Sequence, residues 1–396
     1  MADQTATNFQ IAGTLLNKDQ PVAGVSITAD DGAKFSYTTK TADDGSWTIY
    51  TPKAGKYTVT LDVKTLPAGM TLAADSKAVQ VVDLNDLGFV AVLYSFGGDQ
   101  VQEQSIWTQL LIRVFSGLNF GLLLAIAAIG ISLIYGTTGL SNFAHGEMLT
   151  LGALMMWVFY SVMGLNVIVA GVLSVLVVGT SGFAQDQFLW KPLRKRRLGM
   201  NQVMIVSIGF SIVARYIMLL VFGGETKDMG SATTQIALGP INTTNIVLYS
   251  MGISLVALLG VAFFLTRTRI GKATRAVADN ASLAASTGID VERIIRIVWL
   301  VAGGLTGLAG VLYGLQYQAN WELGFGILLL LFASVTLGGL GTSMGATVGA
   351  LIIGMVVEVS PLWIANELKY AFALLILIVI LIFRPQGVLG KKQRIG

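Results

Sequence analysis

The run LIRVFSGLNFGLLLAIAAIGISLIY, Leu111–Tyr135, carries one charge in 25 residues. About 20 mainly apolar residues are enough to cross the hydrocarbon of a bilayer, and soluble strands and surface helices are shorter or patterned. Just beyond it, Gly136-Thr137-Thr138-Gly139-Leu140-Ser141-Asn142-Phe143-Ala144-His145-Gly146-Glu147 interrupts the apolar pattern with glycines and polar side chains. Further apolar runs follow at Glu147–Met163, Val167–Phe183, Val203–Phe222, Ile246–Leu265, Ile294–Tyr317, Ile327–Leu340, Thr347–Trp363 and Leu368–Phe383. Two of these are short. The expected fold over residues 106–392 is therefore an all-α polytopic membrane bundle of eight or nine transmembrane helices.

Composition points the same way. Charged residues are 12% of the chain, against about a quarter in soluble domains. The net charge of +4 hides an asymmetry: residues 1–99 hold seven Lys and Arg against eleven Asp and Glu, and the remainder holds nineteen against eleven. The basic residues lie between apolar spans, so the basic partner is membrane lipid and not nucleic acid. With no cysteine and one histidine, disulfides, thiol catalysis and Cys-rich or multi-His metal sites are excluded.

Residues 8–96 read as a small all-β sandwich. Alternating runs at Phe9–Leu16, Val22–Ala29, Phe35–Thr39, Ser46–Tyr50, Lys56–Val63, Ala78–Val82 and Gly88–Tyr94 are punctuated by Asp30-Asp31-Gly32, Asp43-Asp44-Gly45, Pro52 to Gly55 and Pro67-Ala68-Gly69. Period-two patterning with Asp-Gly turns predicts about seven antiparallel strands. The two acidic pairs read as calcium ligands or as turn formers.

Lysine and arginine mark cytoplasmic connectors. They cluster at Lys191 and Arg194 to Arg197, at Arg267, Arg269, Lys272, Arg275 and Arg293, and at Lys391, Lys392 and Arg394, whereas Gly223–Asn245 has only Lys227. Nine spans then place the C-terminus inside, and the N-terminus and sandwich outside. An exported domain needs a signal, and Met1 through Gln10 is polar; Ala2-Asp3 is a plausible mature start after cleavage of a longer precursor.

Two glycine-rich breaks, Gly136–Glu147 and Leu337-Gly338-Gly339-Leu340-Gly341-Thr342-Ser343, stand some 200 residues apart. Paired broken segments expose backbone to a polar solute near the membrane midplane. Asn142, His145, Glu147, Gly338 and Gly339 are the candidate path or inner gate. The alternative is that the polar three hydrogen-bond the kinked backbone at a cytoplasmic helix end. Arg215 lies within a span and needs a partner or an interfacial position. Glu322 and Glu358 fall near the outer surface, with a gating role open to them. Gly341, Gly345 and Gly349 fall four apart, as do Gly303–Gly307 and Gly310–Gly314, and predict close helix packing.

Ser141 to Glu147, following Ile134-Tyr135-Gly136, resembles the signature of the branched-chain amino acid permeases of ABC importers. Gly271-Lys272-Ala273-Thr274-Arg275-Ala276-Val277-Ala278, Leu305 to Gly314, Gly338 to Gly349 and Arg384-Pro385-Gln386-Gly387-Val388-Leu389-Gly390 resemble the same family, in order, from about residue 110 to 392. The resemblance implies a permease subunit in a bacterial inner membrane. It implies a homo- or heterodimer with a second permease subunit, cytoplasmic ATPase subunits, and an extracytoplasmic solute-binding protein. Urea or short amides are the alternative cargo. Within it, Ala284-Ala285 and Gly288 resemble the loop that docks into the ATPase, although Leu283 stands where that pattern is acidic; Arg275 or Asp279 would then supply charge. Gly288 suits a left-handed helix stop and Asp290 a cap on the next span. Residues 9–63 resemble a carboxypeptidase-regulatory-like domain, a non-catalytic module.

Ile270-Gly271-Lys272-Ala273 lacks the leading glycine and hydroxyl residue of a phosphate loop, so ATP would be bound by partner subunits and this chain would have no cofactor of its own. An uncoupled channel or ion-driven carrier is the second class; it predicts carboxylates deep in the spans, where Glu147 is nearly alone. A membrane enzyme is third, and no nucleophile–base pair is visible.

Overall fold

The computed structural model describes residues 9–17, 20–32, 35–67, 70–73, 76–84, 89–96, 105–230 and 233–390. The chain forms two compact units that divide between Ser105 and Ile106. The tail cations Lys391, Lys392 and Arg394, the proposed start at Ala2-Asp3, and Ala68, Gly69 and Gly88 of the turn and strand readings lie outside the described residues.

The first unit is a sandwich of two sheets. One joins β6 (Ser46–Thr51), β1 (Phe9–Thr14) and β9 (Phe89–Ala91), and the other runs β5 (Ser36–Lys40), β4 (Ser26–Asp30), β7 (Gly55–Leu61), β8 (Val79–Leu84). A two-residue hairpin, β2 (Leu16–Asn17) and β3 (Gln20–Pro21), completes it. Alternation decides the faces: Ile11 opposes Ile49 in register, and both are buried with Ile27, Trp47, Tyr57, Val59 and Leu61. The sandwich is not wholly antiparallel, since β9 returns beside β1 in parallel. Asp-Gly punctuation does its expected work. Asp30 Oδ1 accepts from Gly32 N at 2.6 Å and Asp44 Oδ1 from Ser46 N at 2.9 Å, while Gly32 and Gly45 take φ of 73° and 76°. These carboxylates are turn formers.

The second unit is helical. In chain order come α1 (Ile106–Thr138), α2 (His145–Trp157), α3 (Val167–Gln185), α4 (Lys191–Lys195) and α5 (Met200–Phe222). A hairpin of β10 (Gln235–Leu238) and β11 (Ile241–Thr244) leads into α6 (Asn245–Arg267), α7 (Arg269–Asp279) and α8 (Ala281–Ser286). The series closes with α9 (Val291–Tyr317), α10 (Leu323–Gly338), α11 (Ser343–Val359) and α12 (Lys369–Phe383). Single π-turns extend α2 through Val158–Val162 and join α3 to α4 through Asp186–Trp190. Among the described residues, seven helices are long and apolar enough to cross a membrane; α10 is apolar but shorter, and α2 with its π-turn is the ninth expected span. Several helices begin before the apolar runs do, α1 at Ile106 and α11 at Ser343. Polar residues stand in these first turns, Thr108 and Gln109 in α1 and Ser343 in α11, and an apolar run does not register them.

Helix α1 is the axis of the bundle, with almost all of its apolar stretch buried inside the unit. It packs on α9, α10, α11 and α6. Close approach comes from the glycine ladders. A Cβ on Gly307 would sit 2.7 Å from that of Val178. One on Gly338 would overlap the Gly345 carbonyl, and one on Gly349 the Ser334 carbonyl, so α10 and α11 touch backbone to backbone.

Candidate functional site

The two glycine-rich breaks meet in space. A Cβ on Gly136 would lie 3.2 Å from the Gly341 carbonyl, and one on Gly341 3.4 Å from Gly136 Cα. Both glycines line a cavity of ≈590 Å³ walled by α1, α6, α7 and the start of α11. A second cavity, of ≈310 Å³, lies at the other end of α1, between α1, the β10–β11 hairpin, the start of α6 and the end of α9.

One stripe of α1 serves both. Ile112, Phe115, Ser116 and Asn119 line the hairpin cavity, and Ile129, Leu133 and Gly136 the α7 cavity. Steps of three and four keep all of these on one side of a helix. On α6 the same holds for Ile246 and Val247 at one end and Leu258, Val261 and Leu265 at the other. Between them on these stripes stand Leu122, Leu123 and Ile126 of α1, and Ser250 and Ser254 of α6, all buried. At 1.5 Å per residue the barrier is about 15 Å long. The two cavities are thus halves of one line, closed in the middle by aliphatic side chains and two hydroxyls.

Asn142, His145 and Glu147 sit away from both cavity walls. His145 is fully buried, with Nε2 3.1 Å from the Ala127 carbonyl and 2.8 Å from Thr306 Oγ1. Asn142 Oδ1 accepts from Ala144 N at 3.1 Å. Glu147 Oε1 accepts from Ser211 Oγ at 2.8 Å and from Arg215 Nε and Nη2 at 3.2 and 3.0 Å. The guanidinium also lies 3.6 Å over the Phe325 ring. Arg215 therefore pairs within the bundle. The break itself is pinned to α5 where Phe143 N donates to Ser207 Oγ at 3.2 Å. Gly338 is a contact glycine of α10. Gly339, at φ 111°, ends that helix against Gly390. The motif from Arg384 to Gly390 caps the C-terminal end of α10, with Val388 N and Leu389 N donating to the carbonyls of Leu337 and Gly338 at 2.7 and 3.0 Å.

The loop after α6 is a pair of short helices. Asn280 ends α7 and caps α8, its Oδ1 accepting from Leu283 N at 3.0 Å. Gly288 takes φ 88°, Ile289 N donates to the Ala284 carbonyl at 3.2 Å, and Asp290 Oδ1 accepts from Arg293 N at 2.9 Å. Ala284 faces the protein, while Leu283, Ala285 and Gly288 are exposed. Lys272, Arg275 and Asp279 of α7 stand in the wall of the larger cavity. The two basic connectors are tied together. Arg194 bonds Asp186 at 2.7 Å and Glu292 at 3.4 Å, joining the α3–α4 turn to the start of α9. At the opposite ends of the spans, Lys227 exchanges backbone hydrogen bonds with Ala319, and Lys369 pairs with Glu358 at 3.5 Å.

Residues 113–381 match the family model described as the permease component of the branched-chain amino acid transport system. The chain belongs to that family. This permease is 28% identical over 300 residues to the high-affinity branched-chain amino acid transport system permease protein LivH of Escherichia coli (strain K12), with 71% of this chain and 96% of the relative covered. It is 28% identical over 298 residues to BraD of Pseudomonas aeruginosa, with the same coverage. To LivH of Salmonella typhimurium it is 27% identical over 300 residues, again with 71% and 96% covered. The permease is a multi-pass membrane transport protein, and the aligned region is the helical unit.

Sequence reasoning missed the polar groups on the route through the permease: Asn119, Gln316 and Ser132 in the cavity walls and Ser254 in the closed segment between them. Each is a single polar residue in an apolar run, and only its alignment with others on one stripe marks it. Arg215 was singled out without a partner, because Glu147 lies 68 residues away.

Proposed function

We propose that this permease forms the membrane path of an ATP-driven importer for branched-chain amino acids. The family match running from α1 into α12 carries the reading. The solute route lies between α1 and α6, from the hairpin cavity to the α7 cavity, and it is closed at Leu122–Ile126. The hairpin end faces out and the α7–α8 loop faces the cytoplasm, an orientation supported by the joined basic connectors at one end and by the single lysine of the hairpin connector at the other. The N-terminal sandwich, a carboxypeptidase-regulatory-like module, then lies outside and the C-terminus inside.

ATP is bound by separate subunits that dock on α8 at Ala285 and Gly288. Because α7 carries Arg275 and Asp279 into the cavity wall, a push on α8 reaches the solute route through one short helix. Asn142, His145 and Glu147 hold the first break as part of the inner gate, and Gly338 and Gly339 hold the second where it meets Gly136. An external binding protein delivers the solute, and a second permease subunit, identical or related, completes the transporter. ATP binding switches access from one end to the other.

Reconstitution of the permease with its ATPase subunits and candidate binding proteins in liposomes tests this. Leucine should be taken up only with ATP present. Uptake of urea but not leucine overturns the substrate, and uptake without any ATPase subunit overturns the coupling.

A further inference from the structure

The hairpin cavity is lined by an amide pair that keeps spare hydrogen-bonding capacity buried in the wall. Asn119 Nδ2 donates to Gln316 Oε1 at 2.7 Å. That leaves Asn119 Oδ1 and Gln316 Nε2 buried with no hydrogen-bond partner among the described residues, and both side chains line the cavity. Asn119 is 3% exposed. Buried polar groups are nearly always satisfied, so one free acceptor beside one free donor, in a cavity, is a signature of an absent partner. Exchanging oxygen and nitrogen in both amides leaves one donor and one acceptor again, so the complement does not depend on their orientation.

The rest of the wall narrows the class. Among the described residues, no Lys, Arg, Asp or Glu lines the cavity; its polar lining beside the amides includes the hydroxyls of Ser116, Thr243 and Thr244, and its aliphatic lining includes Ile112, Ile241 and Leu315. A charge brought there without its own counter-charge would be unpaired. A zwitterion carries its counter-charge with it.

We infer that the Asn119–Gln316 amide pair is an outer solute subsite for a small zwitterionic α-amino acid with an aliphatic side chain. The α-ammonium donates to the free amide oxygen, the α-carboxylate accepts from the free amide N–H, and the hydrocarbon rests on Ile112 and its neighbours. This inference rests on the amino-acid import reading above. A neutral grip suits transport, since a solute held by a full ion pair would be slow to leave. It also places the subsite about 15 Å of helix above the α7 cavity, on the near side of the closed segment.

The test uses the whole assembled complex in liposomes. Photo-leucine, the diazirine analogue, should label the peptides 112–119 and 241–247, and excess leucine should abolish the label. Gln316→Leu and Asn119→Leu should each lower leucine uptake about tenfold, the loss expected for one charge-assisted hydrogen bond, while still co-purifying with the ATPase subunits. Undiminished uptake in both variants, or wild-type label confined to the α7 cavity, overturns the subsite and leaves import standing. A wild-type complex that carries no leucine overturns both readings. If the variants fail to assemble, the wild-type label map alone decides.

Discussion

Arg215 shows how a single residue in an apolar helix sets conditions on its neighbours. It is satisfied by Glu147, with Ser211 Oγ and the Phe325 ring completing its surroundings. Removing one partner leaves a buried charge uncompensated, which costs about 3–5 kcal/mol. Arg215→Leu should therefore lower the detergent melting temperature sharply. The double variant Glu147→Gln with Arg215→Leu should recover most of the loss, because no bare charge remains. In the sandwich, Tyr94 is buried, and burial pushes its phenol up to about 12 from the ordinary 10.0, with its hydroxyl donating to the Val59 carbonyl at 3.2 Å. A phenol held protonated by folding contributes its stability in full below pH 10. That contribution is lost as pH rises toward 12. Denaturant unfolding of the wild type should weaken across that window, and Tyr94→Phe should remove this part of the slope.

At the scale of elements, glycine decides how close helices come. Gly349 lies against the Ser334 carbonyl and Gly338 against Gly345, so Gly349→Val has no side-chain space to take and must part α10 from α11. Overpacking of this kind costs about 1–3 kcal/mol, read as a loss of melting temperature and of monodisperse elution. The loop helix α8 is different in kind. Its exposed residue Ala285 leaves the fold free, so Ala285→Trp should keep the melting temperature and abolish solute-stimulated ATP hydrolysis in the reconstituted complex. Unchanged stimulation would remove α8 from the docking surface. Much of this scale was legible: Gly288 as a left-handed stop and Asp290 as a cap follow from local chemistry alone. The capping of α10 by Val388 and Leu389 did not, because that contact joins segments some 50 residues apart.

For the molecule as a whole, the decisive arrangement is two cavities on one α1–α6 line with a closed centre. Since the chain has no cysteine, single introduced thiols report access directly. Ser116→Cys should react with an impermeant thiol reagent from the hairpin side and Thr347→Cys from the α7 side. Ser254→Cys, fully buried at the centre, should be inert at rest and react during ATP turnover. Reactivity of Ser254→Cys at rest, or inertness throughout turnover, would move the path elsewhere.

Fold class, the division into sandwich and bundle, and the family motifs are written in hydropathy, alternation and short-range turn chemistry. These depend on neighbours in the chain, so they can be read without folding it. The partner of Arg215, the meeting of Gly136 with Gly341 and the pairing of Asn119 with Gln316 are contacts between residues 68 to about 205 positions apart. Only the packing of helices brings them together, and in an apolar solvent each isolated polar residue has no local signal to say which other one it will meet.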